Sequence, residues 1–315
     1  MTDKTRNCFL FVHFTGESEN GEQIYFSLSR DGLHWNDLNN GAPVLVSKTG
    51  ECGARDPFMV RDEKSGTFYI IATDLRIASG KGWGVAQYGG SRDILVWSSK
   101  DLVHFDGPEA VTVGVPDAGC VWAPEAIYDE DKKAFMVFWA SMTPKGDAEK
   151  AKQKIYMSHT TDFKTFTAPT LYLERDNHVI DTDIVRLDGT NSATEGYMRF
   201  SKDETTKNIR VDFGKTLDKD AFSNVHIPVL DDMKGIEGPI CFYIRQTGKW
   251  CLLVDRYATH GGYLPLLSDD LLSGDMRVLS DDEYDLGKSL KRHGGILPIT
   301  EEEYLRMEKA FTQGA

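Results

Sequence analysis

Three acidic residues draw attention by their setting. Asp56, Asp181 and Glu237 each lie in a short apolar, strand-forming run: Arg55-Asp56-Pro57-Phe58-Met59-Val60, Val179-Ile180-Asp181 and Ile236-Glu237-Gly238-Pro239. A carboxylate in such a segment costs free energy unless it is paired or put to use. Three of them aimed at one point repel one another and raise at least one pKa. Two carboxyl groups flanking a glycosidic bond, one held protonated by its surroundings, are what glycoside hydrolysis requires. The same acids also have a plainer reading as turn caps, Asp before Pro being a common turn starter. The residue types leave both readings open, and the choice rests on whether the fold makes the three converge.

The elements that carry them recur. A unit of four short apolar runs starts at Arg55 and continues through Phe68–Ile71, Ile94–Trp97 and a run near Val111. A second starts at Trp122-Ala123-Pro124-Glu125, a third at Ile180 and a fourth at Ile236, each reading as a four-stranded meander. Glu125, Asp181, Glu237 and His293 follow one another at intervals of 56 residues, and the longer step from Asp56 to Glu125 contains a Gly-rich insertion at 78–92. A second marker, Asp followed four residues later by an aromatic, recurs as Asp31/Trp35, Asp101/Phe105, Asp162/Phe166 and Asp218/Phe222. These aromatics are expected to pack between sheets. The last unit is split: Ile296–Ile299 lacks its following strands, and the N-terminal runs Phe9–Phe14, Ile24–Ser29 and Pro43–Val46 lack a first one. Joining them closes a ring, so the chain is predicted to be all-β, a five-bladed β-propeller forming one domain over 1–315. Thr300 and Glu303 form a capping-box pattern that predicts a C-terminal helix.

Composition narrows the partners. A net charge of −13, with no Lys/Arg run longer than two, argues against nucleic acid and anionic membrane surfaces. The apolar stretch Phe9–Val12 is too short for a signal core or a membrane span, so the expectation is a cytoplasmic protein. Five widely spaced cysteines without a CxxC pair read as reduced packing residues.

With Arg292-His293-Gly294, the motifs Arg55-Asp56-Pro57-Phe58, Trp122-Ala123-Pro124-Glu125, Val179-Ile180-Asp181 and Ile236-Glu237-Gly238-Pro239 resemble, in order and one per blade, the blade-opening motifs of glycoside hydrolase family 43. The resemblance covers essentially the whole chain. It implies an inverting hydrolase with Asp56 as general base, Glu237 as general acid and Asp181 orienting the acid and tuning its pKa. Asp183 is the rival for Asp181's role. Inversion needs base and acid roughly 6.5–9.5 Å apart, so that a water fits between base and sugar. Trp122 is expected to stack on a sugar ring, and His293 resembles the family's channel histidine, which leaves room for a structural calcium ion although no cofactor is required. Asp74 and Arg199 are expected either to bind sugar hydroxyls or to form salt bridges. The third motif departs from the family in reading Asp-Thr where many members have Asp-Pro.

The implied substrate is an arabinose- or xylose-containing oligosaccharide. The first expectation is release of terminal α-L-arabinofuranosyl groups; β-D-xylosidase, endo-arabinanase and β-galactofuranosidase are the alternatives. A non-catalytic sugar-binding propeller is the alternative from another class. Arg55-Asp56-Pro57 is also similar to the Arg-Asp-Pro motif of fructan hydrolases, but their Asn-Asp-Pro nucleophile motif is absent.

Overall fold

The structure is a computed structural model that describes residues 5–312. β1 (Cys8–His13), β2 (Tyr25–Ser29) and β3 (Asn36–Asp37) come first, followed by the first complete sheet, β4 (Arg55–Asp62), β5 (Thr67–Thr73), β6 (Asp93–Ser99) and β7 (Phe105–Thr112). The second sheet is β8 (Trp122–Asp129), β9 (Ala134–Thr143), β10 (Lys152–Thr160) and β11 (Thr170–Leu173). The third is β12 (Val179–Leu187), β13 (Gly196–Asp203), β14 (Asn208–Gly214) and β15 (Phe222–Val225). The fourth is β16 (Glu237–Ile244), β17 (Lys249–Asp255), β18 (Tyr263–Ser268) and β19 (Arg277–Val278). β20 (Gly294–Ile299) pairs with β1, Leu10 opposite Leu297, and completes a fifth sheet in the order β20-β1-β2-β3. Five antiparallel sheets of four strands arranged in sequence, the last stitched from both ends of the chain, make the five-bladed propeller that the repeats predict.

Strand alternation explains why the sheets stack as blades. Every residue of β9 is buried. Its Phe135, Val137 and Trp139 join a cluster with Ile71 and Ile94 of the first blade, while Met136, Phe138 and Ala140 join one with Val179 and Ile184 of the third. A strand apolar on both faces has to be sandwiched between two sheets. The same division gives one apolar cluster between each pair of neighbouring blades around the ring.

The Asp/aromatic marker is a turn. Asp31, Asp101 and Asp162 each accept backbone N–H groups two and three residues on, and Trp35, Phe105, Phe166 and Phe222 pack into the clusters between blades, as expected. All five cysteines are free. Among the described residues no helix is long and apolar enough to cross a membrane.

Among the described residues three α-helices decorate the ring. α1 (Trp83–Gly89) lies within the Gly-rich insertion, α2 (Pro228–Asp232) buries Leu230 between the third and fourth blades, and α3 (Glu301–Thr312) follows β20. Thr300 and Glu303 cap α3 reciprocally, as the sequence predicts: Glu303 N–H donates to Thr300 Oγ1 at 3.2 Å and Thr300 N–H to Glu303 Oε2 at 2.8 Å.

Candidate active site

The first strands of four blades share a deformation. Asp56, Ala123, Asp181 and Gly238 have φ of 48°, 48°, 46° and 51°, and at each the register with the next strand slips. This is a β-bulge with its extra residue in the left-handed region, which re-aims a side chain at the rim of a sheet. In three blades a proline follows the bulged residue, and having no N–H it leaves no donor orphaned where the ladder breaks. In the third blade Thr182 takes that place and its hydroxyl donates to Ser201 Oγ at 3.1 Å, so the departure from Asp-Pro keeps the bulge. The bulges also correct the repeat. Asp181 corresponds to Asp56, Ala123 and Gly238, whereas Glu125 lies two residues further along, level with Asp183, and Glu237 lies one residue earlier. The constant interval of 56 therefore joins positions that are not structurally equivalent.

The bulges make the three carboxylates converge. Asp56, Asp181 and Glu237 line a single cavity of about 590 Å³ together with Trp122 and His293. His293 is its hub: Nδ1 lies 3.7 Å from Asp56 Oδ1 and 3.8 Å from Asp181 Oδ1, and Nε2 lies 3.4 Å from Glu125 Oε1. Burial lowers the imidazole pKa, but Asp181, Glu125 and Asp56 outweigh it and push it up to about 10. The ring is thus wedged among three carboxyl groups that favour its protonated form. It packs on Gly238, where a Cβ would come 2.9 Å from the ring, so only glycine lets the histidine in. Among the described residues no group of three or more His, Cys, Asp or Glu has the geometry of a metal cage.

Each carboxylate is held differently. Asp56 Oδ2 accepts the Thr73 hydroxyl at 2.9 Å. Asp181 Oδ2 accepts the Gly238 N–H at 3.1 Å, and burial, partly countered by His293, pushes its carboxyl up to about 6. Glu237 is gripped on both oxygens, by Lys202 Nζ at 2.6 Å and by Arg292 Nη2 at 3.0 Å. Arg292 is itself anchored by Asp255 at 2.5 Å.

Asp183, the rival to Asp181, does not line the cavity. Its Oδ2 accepts the Cys241 N–H at 2.7 Å and the carboxyl lies against Glu125. Burial pushes Asp183 up to about 6 and Glu125 well above the usual carboxylate range. The bulge at Asp181 turns these two acids, which a regular strand would aim alike, to different depths.

Two further residues singled out in the sequence, Asp74 and Arg199, lie outside the cavity. Asp74 is buried outside the cavity and accepts the Glu51 N–H at 2.7 Å. Arg199 is also outside it, bound to Asp212 at 3.0 Å with its guanidinium 4.1 Å over the Phe222 ring. Among the lining residues that sequence reasoning did not single out are Lys202, Glu204, Arg292, Tyr257, His260 and Glu17. Arg292 was within reach of a motif reading because it adjoins His293. Lys202, a charge ending an apolar strand, carried a weaker signal.

Comparison with known proteins bears on this site. Residues 5–305 match the model of a family described as a probable glycosyl hydrolase domain, related to glycoside hydrolase family 43. An α-L-arabinofuranosidase of Bifidobacterium longum is 32% identical over 212 residues, which are 61% of this chain and 19% of that protein. The chain thus spans about a fifth of the length of that curated relative. In fold, the chain is similar to a family-43 β-1,3-galactosidase solved with galactodeoxynojirimycin, with a TM-score of 0.58, 11% identity and 93% of each chain covered. It is equally similar to a putative exo-β-1,3-galactanase of Bifidobacterium bifidum, with a TM-score of 0.58, 12% identity and 92% of each chain covered.

Proposed function

Because the chain belongs to the glycosyl hydrolase domain family related to family 43, we propose that it hydrolyses glycosidic bonds with inversion, removing terminal α-L-arabinofuranosyl groups. The observation that carries this reading is the meeting of Asp56, Asp181 and Glu237 in one cavity around His293. Asp56 takes a proton from water as that water attacks the anomeric carbon. Glu237 gives its proton to the departing glycosidic oxygen as the C–O bond breaks. Asp181 accepts the N–H of Gly238, the residue next to Glu237, and so steadies the backbone that carries the acid. Solvent returns the proton from Asp56 to Glu237 after release. Trp122 offers an apolar face to the sugar, whose C–H faces are also apolar.

The choice of sugar leans on the B. longum arabinofuranosidase. A second reading, a β-galactosyl substrate, takes its cue from the two structures of like fold, a β-1,3-galactosidase and a putative exo-β-1,3-galactanase, that cover more than nine-tenths of the chain. A β-D-xyloside is the third arm of the test. Hydrolysis of matched aryl α-L-arabinofuranoside, β-D-xylopyranoside and β-D-galactopyranoside, with the product anomer followed by NMR, decides among them. Arabinoside turnover with inversion, abolished by Asp56→Ala, is the expected result. Retention of configuration would overturn the mechanism. No turnover by a folded wild type would favour a sugar-binding propeller.

A further inference from the structure

We infer that Trp83 is the platform of a second sugar subsite at the mouth of the cavity, stacking on the ring on the leaving-group side of the bond that is cut. The inference rests on the hydrolytic reading and deepens it. Trp83 belongs to the 78–92 insertion, which only the first blade carries, and to the short helix α1. It is 48% exposed, whereas His293 and Asp181 at the cavity floor are 4% and 8% exposed and Trp122 between them is half-buried. A terminal sugar seated among the carboxylates at the floor sends the rest of its chain past Trp122 toward the mouth, where Trp83 stands.

An indole half in water on a glycine-rich loop would ordinarily move, yet this one is braced. Its ring meets Trp122 edge-on with centroids 6.0 Å apart, and the Arg55 guanidinium lies 5.1 Å from its centre. Arg55 is itself fixed by Glu22, which also accepts the N–H groups of Ile77 and Ala78 at the start of the insertion. At the far end Gly90 N–H donates to Gly119 O at 2.8 Å, and Gly119 lies so close to α1 that a Cβ there would come 2.4 Å from Gln87 O. Gln87, four residues after Trp83 and on the same face of α1, also lines the cavity. An aromatic face beside an amide suits a sugar ring, with C–H groups for the indole and hydroxyls for the amide. An ordered platform at the mouth also limits the ordering cost of binding the longer ligand.

The test is a binding titration in the Asp56→Asn background, which keeps ligands intact. Arabinotriose, xylotriose and β-1,3-galactotriose are compared with the methyl glycosides of their monosaccharides. For the trisaccharide that binds, Trp83→Ala is expected to lower the ratio of trisaccharide to monosaccharide affinity about tenfold. Gln87→Ala, which leaves the Trp83–Trp122 contact in place, is expected to lower it about threefold. An unchanged ratio in both variants, or no trisaccharide binding more tightly than its monosaccharide, would overturn the subsite. Failure of the hydrolytic reading is a separate result, absence of turnover by wild type, and the affinity ratio remains measurable without turnover.

Discussion

Glu237 accepts a hydrogen bond on each oxygen, so before it can donate a proton one of its cations has to give way. Each cation has a second anchor: Arg292 is tied to Asp255, and the buried Lys202 is paired with Glu204 and lies over the Tyr257 ring. Glu237→Ala is expected to cost about 10²–10⁴-fold on substrates with poor leaving groups and far less on activated aryl glycosides, which need no protonation. Equal losses on both, in kcat/KM, would remove Glu237 from the acid's role. His293 carries a second expectation. Its charge lowers the Asp181 pKa, which burial raises to about 6. His293→Asn should therefore move the acid limb of the kcat/KM profile to higher pH, and an unmoved limb would mean that Asp181 does not feel the imidazolium. Stability follows the same sign. A pKa raised from 6.5 to about 10 contributes stability that is fully present below 6.5 and is lost as pH rises toward 10. The wild-type Tm should fall over that interval more steeply than the Tm of the variant.

At the scale of elements, the opening strands must aim acids inward without leaving orphaned backbone groups, and the bulge does both. The left-handed residue it needs is strained for most side chains but more accessible to Asp and Gly, the residues at 56, 181 and 238, while in the second blade Ala123 takes the strained place. The network behind Asp56 supports this geometry. Arg55 is buried and bonded to Glu17 at 2.9 Å and to Glu22 at 2.8 Å. Arg55→Met should destabilise the protein by about 3 kcal/mol, because it leaves Glu22 buried without its cation. It should also weaken activity, by loosening both Asp56 and the insertion that Glu22 anchors. A chemical-denaturation curve that shifts by less than about 1 kcal/mol would show that the cluster is not structural.

For the whole molecule, ring closure is the weak point, because β20 is the single strand that reaches the fifth blade from the far end of the chain. α3 clamps it: Glu303 receives both Nη groups of Arg61, at 2.9 and 2.8 Å, and Tyr304 and Met307 are buried against the first and fifth blades. A stop after His293 should abolish cooperative unfolding followed by circular dichroism, since β1 would keep only β2 as a partner and the fifth blade would lose its innermost strand. Thr300→Ala, which removes only the helix cap, should cost about 1 kcal/mol and leave the transition cooperative. A truncated chain that still melts cooperatively would place the stability of the ring elsewhere.

Alternating apolar runs and recurring turns were sufficient to derive the five blades, the closure of the last one from both ends of the chain and the capped C-terminal helix, because strand burial and turn chemistry are local properties written in residue order; they misplaced the outer strand of the split blade, which is Asn36–Asp37 and not Pro43–Val46, where Leu45 makes only an isolated bridge to Ile24. The blade-opening motifs likewise pointed to Asp56, Asp181, Glu237, Trp122 and His293, all of which line the cavity. What the chain order did not disclose depends on contacts between distant segments. The bulge decides that Asp181 faces the cavity while Asp183, two residues on, pairs with Glu125. For Arg199 the sequence leaves sugar binding and salt bridging level, and the structure places Asp212 beside it. Lys202 is unremarkable until the fourth blade brings Glu237 to its ammonium. Electrostatic partners are set by distances across the ring, and those distances come into being only when the ring closes.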